Sequence, residues 1–154
     1  MTTAVEIIRN FYAALELGDA ARALGLMSDD IEWITMWHYK VAGRGPKNVA
    51  EGLFVPLMKE WKSFKLIPTE FIADGGTVVS LGRFVGVHGT TGKTADARYA
   101  HVWTVVDDRI ARFRQYIDTL AVAEARREEK SKPAEASRTE TDIHLPVATA
   151  RRAV

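Results

Sequence analysis

The sequence predicts an α+β fold in the order α-α-β-α-β-β-β-β. Three observations predict it. Apolar residues recur at helical spacing over 4–17 and 47–61. From Phe64 onward the pattern changes to strands. Turn residues at 74–76, 89–93 and 107–108 then divide the stretch into four strands, which favours a mostly antiparallel sheet.

The first helix, 4–17, carries Val5, Ile8, Phe11, Tyr12 and Leu15 on one face, with Thr2 or Thr3 able to cap it and Gly18 to stop it. Asp19 caps a shorter helix bearing Ala20, Ala23, Leu24 and Met27. Ser28-Asp29-Asp30 reads as a turn and 31–37 as a strand rich in β-branched and aromatic residues. Two glycines and a proline make 38–46 a loop. The third helix, 47–61, contains Pro56, which should kink or split it. The four strands are 64–73, 77–88, 97–106 and 109–120, the last two joined in a hairpin about Asp107-Asp108. No internal repeat is visible.

The length is that of one domain, and it suffices for a real core without covalent staples. The division expected is a folded domain over 1–120 and an extension over 121–154. The extension begins as a charged helix over 121–132. After Pro133 it becomes a tail rich in Ala, Ser, Thr and Glu, with an apolar patch at Ile143, Leu145 and Val147. That composition reads as mobile; the alternative is an arm that packs on another subunit.

The formal net charge is +1, and the basic residues are scattered apart from a cluster late in the tail, which argues against nucleic acid as a partner. With no cysteine there is no disulfide, thiol nucleophile or thiolate metal site, and a reducing cytoplasm is the expected location. No apolar run reaches the ~20 residues that span a bilayer. The N-terminus does not read as a signal peptide. The four histidines show no HxH or HxxxH spacing, so no metal is expected, and without a phosphate-cradling glycine loop no cofactor is implied.

Specific residues now meet this order of elements. Phe11-Tyr12-Ala13-Ala14-Leu15, Gly18-Asp19 and Asp29-Asp30-Ile31-Glu32-Trp33 resemble the opening of the nuclear transport factor 2-like (ketosteroid isomerase-like) superfamily. Thr91-Gly92-Lys93, His101-Val102-Trp103 and Phe113-Arg114-Gln115-Tyr116-Ile117-Asp118-Thr119 resemble its SnoaL-like, polyketide cyclase-like branch. The resemblance covers 4–120. It implies a cone: a curved sheet closed over helices around a deep pocket, with homodimers formed through the outer sheet face. Similar cones serve as isomerases, cyclases, epoxide hydrolases, dehydratases and binding modules, so the fold alone does not choose a function.

Two branches fit poorly. The epoxide hydrolase branch uses an Arg-x-Asp pair, and here Val85 follows Arg83 where the Asp should be. The ketosteroid isomerase oxyanion tyrosine falls on Phe11 and its base near Ile34 or Thr35, neither of which can serve.

If Asp107 and Asp108 are the two loop residues, Tyr99 stands opposite Tyr116, His101 opposite Arg114, Trp103 opposite Arg112 and Ala97 opposite Asp118. Side chains alternate, so Tyr99, His101, Trp103, Arg114, Tyr116 and Asp118 share one face. Ala100, Val102, Thr104, Ala111, Phe113, Gln115 and Ile117 share the other. Hydrophobicity favours the second face as core. The resemblance implies the opposite, because related enzymes place the acid at the end of the last strand in the pocket. The first face is therefore expected inward. A one-residue slip would turn one strand over.

On that register Asp118 is the expected general base, its pKa raised by aromatic walls. The competing account is an acid at a strand end that caps a turn or pairs with Arg83 or Arg114. His101, about 13 Å further along the hairpin, is the second catalytic candidate, and Tyr99 and Tyr116 are candidate oxyanion donors. Each has an ordinary account as a satisfied wall residue. Trp33, Trp37, Trp103, Arg114, Tyr12, Phe54, Met58 and Arg83 are the expected ligand contacts. His38, Tyr39 and His88 read as exposed polar residues.

The function expected is a small-molecule enzyme of acid–base type, an isomerase, cyclase or dehydratase acting on an apolar cyclic or carbonyl compound. The alternatives are a non-catalytic ligand-binding module and a dimeric assembly module of the same fold.

Overall fold

The computed structural model describes residues 2–129. Helix α1 spans Ala4–Glu16 and α2 spans Ala20–Gly25. Thr3 caps α1 reciprocally with Glu6, each side chain bonding the other's backbone N–H. Gly18, at φ 70°, ends it, and Asp19 caps α2 through Arg22 N. The expected caps of both helices hold, but α2 stops at Gly25, so Met27, expected on it, opens the following strand instead.

Strand β1 is Met27–Ile34. It begins earlier than expected, so Ser28-Asp29-Asp30 is strand rather than turn. The reason is position: β1 is an edge strand whose register on its neighbour breaks between Met27 and Glu32, and Asp29 and Asp30 stay exposed on that bulged edge. Trp37 falls beyond the strand, in the following loop, yet is buried.

The third helical run has three parts: α3 Pro46–Val49, a π-helical stretch Ala50–Phe54 and α4 Val55–Glu60. Pro56 supplies no N–H, and the wider π turn falls directly before it. Four strands follow: β2 Trp61–Asp74, β3 Thr77–His88, β4 Thr94–Val106 and β5 Arg109–Ile117. The sheet order is β1-β5-β4-β3-β2, with β1 parallel to β5 and the other pairs antiparallel. One face packs on α1 through Ile7, Ile8, Phe11 and Tyr12, and Trp103, Phe84 and Ile110 stand at the centre of the core.

The final hairpin corrects the expected register. Asp107 and Asp108 do form a two-residue turn with φ of 50° and 59°, and Val106 pairs with Arg109. Val105 then pairs with Ile110 but Thr104 with Arg112, which leaves Ala111 as an extra residue on β5. Beyond this bulge every pairing is shifted by one. Trp103 faces Phe113, His101 faces Gln115 and Tyr99 faces Ile117. Each sorting of the faces was therefore right for one strand: β4 turns Tyr99, His101 and Trp103 inward, while β5 turns Phe113 and Gln115 inward.

The last strand stops at Ile117, three residues short of the expected end. Asp118 accepts from Ala121 N at 3.1 Å and caps helix α5, Thr119–Arg126. Val122 and Ala125 bury this helix against the core. The expected charged helix thus begins earlier and ends earlier than 121–132. The expectations for the later tail, with Ile143, Leu145 and Val147, lie outside the described residues.

Candidate functional site

An apolar cavity lies between the helices and the inner sheet face. Helix α1 contributes Phe11, and β1 and its loop contribute Trp33 and Trp37. Phe54, Leu57 and Met58 come from the split helix, and Phe84, Trp103 and Phe113 from the sheet. Its volume is about 70 Å³, room for about two waters and about half the size of a cavity of about 150 Å³ that holds a benzene ring.

Two polar side chains interrupt the apolar lining. His101 and Gln115 are cross-strand partners, both buried and both on the cavity wall. Neither His101 Nε2 nor Gln115 Oε1 has a hydrogen-bond partner among the described residues, and the same holds for the indole nitrogens of Trp33 and Trp37. Buried polar atoms are normally satisfied, so these four mark the polar positions of an otherwise apolar core around the cavity.

The other side of the His101 ring is tightly held. Its Nδ1 lies 2.6 Å from the Tyr12 hydroxyl, and Trp103 Nε1 donates to that hydroxyl oxygen at 3.2 Å. Tyr99 stacks on the imidazole with ring centres 3.7 Å apart. Burial pushes His101 well below the ordinary histidine range, so the ring is neutral at neutral pH. Burial likewise raises Tyr12 and Tyr99, which stay protonated phenols.

Of the residues expected at the site, Trp33, Trp37, Trp103, Phe54, Met58 and His101 line the cavity. Tyr12 and Tyr99 stand behind His101 and hold it. Four do not reach it. Tyr116 is 48% exposed on the outer face, and Arg114 lies half-buried beside it because the bulge turns both outward. Arg83 also faces out and pairs with Asp96 at 3.0 Å. Asp118 is exposed, with its carboxylate committed to the α5 cap. The expected pocket acid is therefore a helix cap, close to its competing account. No carboxylate lines the cavity among the described residues.

Gln115 and Phe113 are the residues the sequence reading sent to the wrong face. Only the Ala111 bulge turns them inward, and no residue type at 109–112 announces it.

A second polar cluster lies outside the cavity, around Glu60. His38 Nε2 lies 2.9 Å from Glu60 Oε2, and Tyr39 donates its hydroxyl to the same oxygen at 2.8 Å. Arg126 and His88 bond the other oxygen. Burial alone would raise Glu60, but the hydrogen bonds from His38, Tyr39 and Arg126 outweigh it and hold the carboxyl at about 2. His38 is lowered, chiefly by burial. His88 Nδ1 accepts from Thr90 N and Thr91 N, so its proton sits on Nε2 and is donated to Glu60. That leaves His88 no free lone pair for a metal. Among the described residues no three His, Asp or Glu side chains are grouped to hold one. His38 is exposed as expected, whereas Tyr39 and His88 are buried; together with Arg126 they tie the 35–45 loop, β3 and α5 to Glu60 at the end of α4.

Comparison with known proteins places this geometry. An NTF2-like protein from Burkholderia thailandensis E264 is 33% identical and superposes with a TM-score of 0.78, over 83% of this chain and 100% of that one. An NTF2-like protein from Burkholderia xenovorans LB400 is 32% identical, with a TM-score of 0.67, over 79% and 94%. TerC, crystallised with polyporic acid, is 28% identical, with a TM-score of 0.71, over 79% and 96%. No curated protein matches the chain in sequence. The model of the SnoaL-like domain matches residues 8–113. With its α-α-β-α-β-β-β-β-α order and one mostly antiparallel sheet, the chain has the NTF2-like fold and belongs to the SnoaL-like domain family.

Proposed function

We propose that the chain binds a small, uncharged, ring-bearing carbonyl compound in the apolar cavity and performs cofactor-independent acid–base chemistry on it, of the isomerase, cyclase or dehydratase kind. The observation that carries this reading is the unpartnered His101–Gln115 pair on an otherwise apolar wall. No Lys or Arg lines the cavity among the described residues, and a buried anion without a partner is strongly disfavoured, so the ligand is neutral. At about 70 Å³ the cavity is about half of what a single ring needs, so a ring-bearing ligand requires the side chains of α4 to move. The crystallisation of TerC with polyporic acid supports a small organic ligand in a fold of this kind.

His101 is the proposed catalytic group: it polarises the ligand oxygen while Tyr12 and Tyr99 hold the imidazole, and water that enters with the ligand takes the α-carbon proton, because no carboxylate lines the cavity among the described residues. The test is deuterium exchange. Incubation of cyclohexanone with the protein in D₂O should accelerate loss of the α-carbon proton signals, and His101→Phe should remove the acceleration. Binding without any acceleration rejects the catalytic reading.

Among the described residues no carboxylate base lines the cavity, which favours one second reading, a non-catalytic module that holds the same class of ligand. Deuterium exchange separates the two. For assembly we propose a homodimer through the outer sheet face. The exposed Ile67, Ile72 and Tyr116 and the half-buried Val79, Leu81 and Val102 on that face support it. Light scattering of the purified chain tests it, and a monomer at all concentrations rejects it.

A further inference from the structure

The side chains on the cavity wall differ in how firmly they are held. Trp33, Trp103 and Phe113 are buried and interlocked, with ring centres 3.9 Å apart for Trp33 and Phe113 and 4.4 Å for Trp103 and Phe113. Trp37 meets Phe84 edge to face at 5.5 Å. Displacing any of these rings breaks packing on its far side and leaves a void there. Met58 is different. It lines the same cavity but is 65% exposed, while every other described lining residue is buried or half-buried. A side chain that meets both the cavity and bulk solvent stands at the mouth. Methionine is unbranched and turns about three bonds, so Met58 can swing into solvent without opening a void elsewhere.

The backbone around Met58 has one weak side and one firm side. Upstream, the π-helical stretch Ala50–Phe54 runs into Pro56, which donates no hydrogen bond to the preceding turn. Downstream, Glu60 is anchored by His38, Tyr39, His88 and Arg126, and Gly89 N donates to its carbonyl at 2.9 Å. Met58 lies two residues before that anchor, so its side chain can turn while the end of α4 stays in place. We infer that Met58 is the gate of the pocket and the residue that sets which rings it admits: the side chain turns outward as a ring enters, and the space it leaves makes up the shortfall of the cavity. The other partly exposed lining residues, Leu15, Ala20, Phe64 and Leu66, are apolar as well. The ligand class that suits such a mouth is a ring extended there by a fused ring or hydrocarbon group, not by a polar substituent. The inference rests on the pocket proposed above and deepens it by naming the side chain that must move and what passes it.

The experiment titrates cyclohexanone and its benzo-fused analogue 1-tetralone against the full chain, with the indole N–H resonances of Trp33 and Trp103 as the readout. Met58→Ala should raise the tetralone-to-cyclohexanone affinity ratio about tenfold, and Met58→Phe, which fills the mouth with a stiff ring, should lower it about tenfold. Val55 is an exposed residue of α4 outside the cavity wall. Val55→Ala should leave both affinities within about twofold. An unchanged ratio in either Met58 variant overturns the gate, while cyclohexanone binding to wild type leaves the pocket reading standing. A shift in Val55→Ala as large as that in Met58→Ala also overturns it, because α4 as a whole would then set the size. Failure of both compounds to bind wild type overturns both readings.

Discussion

Trp103 donates to the hydroxyl that bonds His101: its Nε1 lies 3.2 Å from the Tyr12 oxygen, which lies 2.6 Å from His101 Nδ1. Three buried side chains from two elements thus share one phenol group, and that group's loss leaves two others unsatisfied. Tyr12→Phe keeps the ring and its edge contacts with Phe11 and Trp103. It should still cost about 1–3 kcal/mol, the penalty for orphaned buried polar groups. The urea midpoint should fall without a change in slope. A variant as stable as wild type would mean that the hydroxyl is not shared in this way.

Asp118 gives a prediction opposite to the one its family position suggests. Its carboxylate bonds Ala121 N and is exposed to solvent. Asp118→Ala should lower stability by about 1 kcal/mol through loss of the α5 cap, and Asp118→Asn, a good cap, should be nearly neutral. Neither should change ligand affinity or deuterium exchange. Thermal unfolding and the titrations above check both statements, and loss of exchange in a stably folded Asp118→Asn would return the residue to the site.

The contrast between Asp118 and His101 shows what the sequence carried. Helix caps, the strand order and the two-residue hairpin turn follow from local chemistry, and Thr3, Asp19 and Asp107-Asp108 announce them directly. His101 lies on β4, one inter-strand step before the bulge matters, and its inward placement follows from alternation. The register of β5 does not, because Ala111 is an ordinary strand residue. A bulge there is favoured only when Phe113 meets Trp33 and Trp103 in the assembled core. Phe113 and Gln115 were therefore illegible, and Tyr116 and Arg114 were misplaced for the same reason. Glu60 was missed because its partners are 21 to 66 residues away.

Gly82 tests how tightly the stack behind His101 is packed. It lies in mid-strand, where glycine is otherwise a poor residue. A Cβ there would overlap Ile67 O and stand 2.5 Å from the Tyr99 hydroxyl. Neither the backbone oxygen nor the stacked ring can yield cheaply. Gly82→Ala should destabilise the fold by about 1–3 kcal/mol. It should also shift the Tyr99 and His101 ring resonances. An unchanged spectrum would show that the β2–β3 pairing gives way instead.

The Glu60 cluster sets an acid limit on stability, and its sign follows from the direction of the shift. The carboxyl is lowered from its ordinary 4.5 to about 2, so the folded state favours the charged form. Its stabilisation is complete above about pH 4.5 and is lost as the pH falls toward 2. For a partly exposed cluster the loss should be about 2 kcal/mol after allowance for screening. His38, lowered chiefly by burial, acts in the same direction at higher pH, because the unfolded chain takes up its proton first, below about pH 6.5. The buried neutral His101 adds to that upper window. Urea unfolding of wild type and Glu60→Gln between pH 7 and pH 2 separates the contributions. The variant should be less stable at pH 7, should keep the histidine-driven fall below pH 6.5, and should converge with wild type near pH 2. Parallel curves over the whole range would mean that the His38, Tyr39 and Arg126 hydrogen bonds do not hold this carboxylate in its charged form.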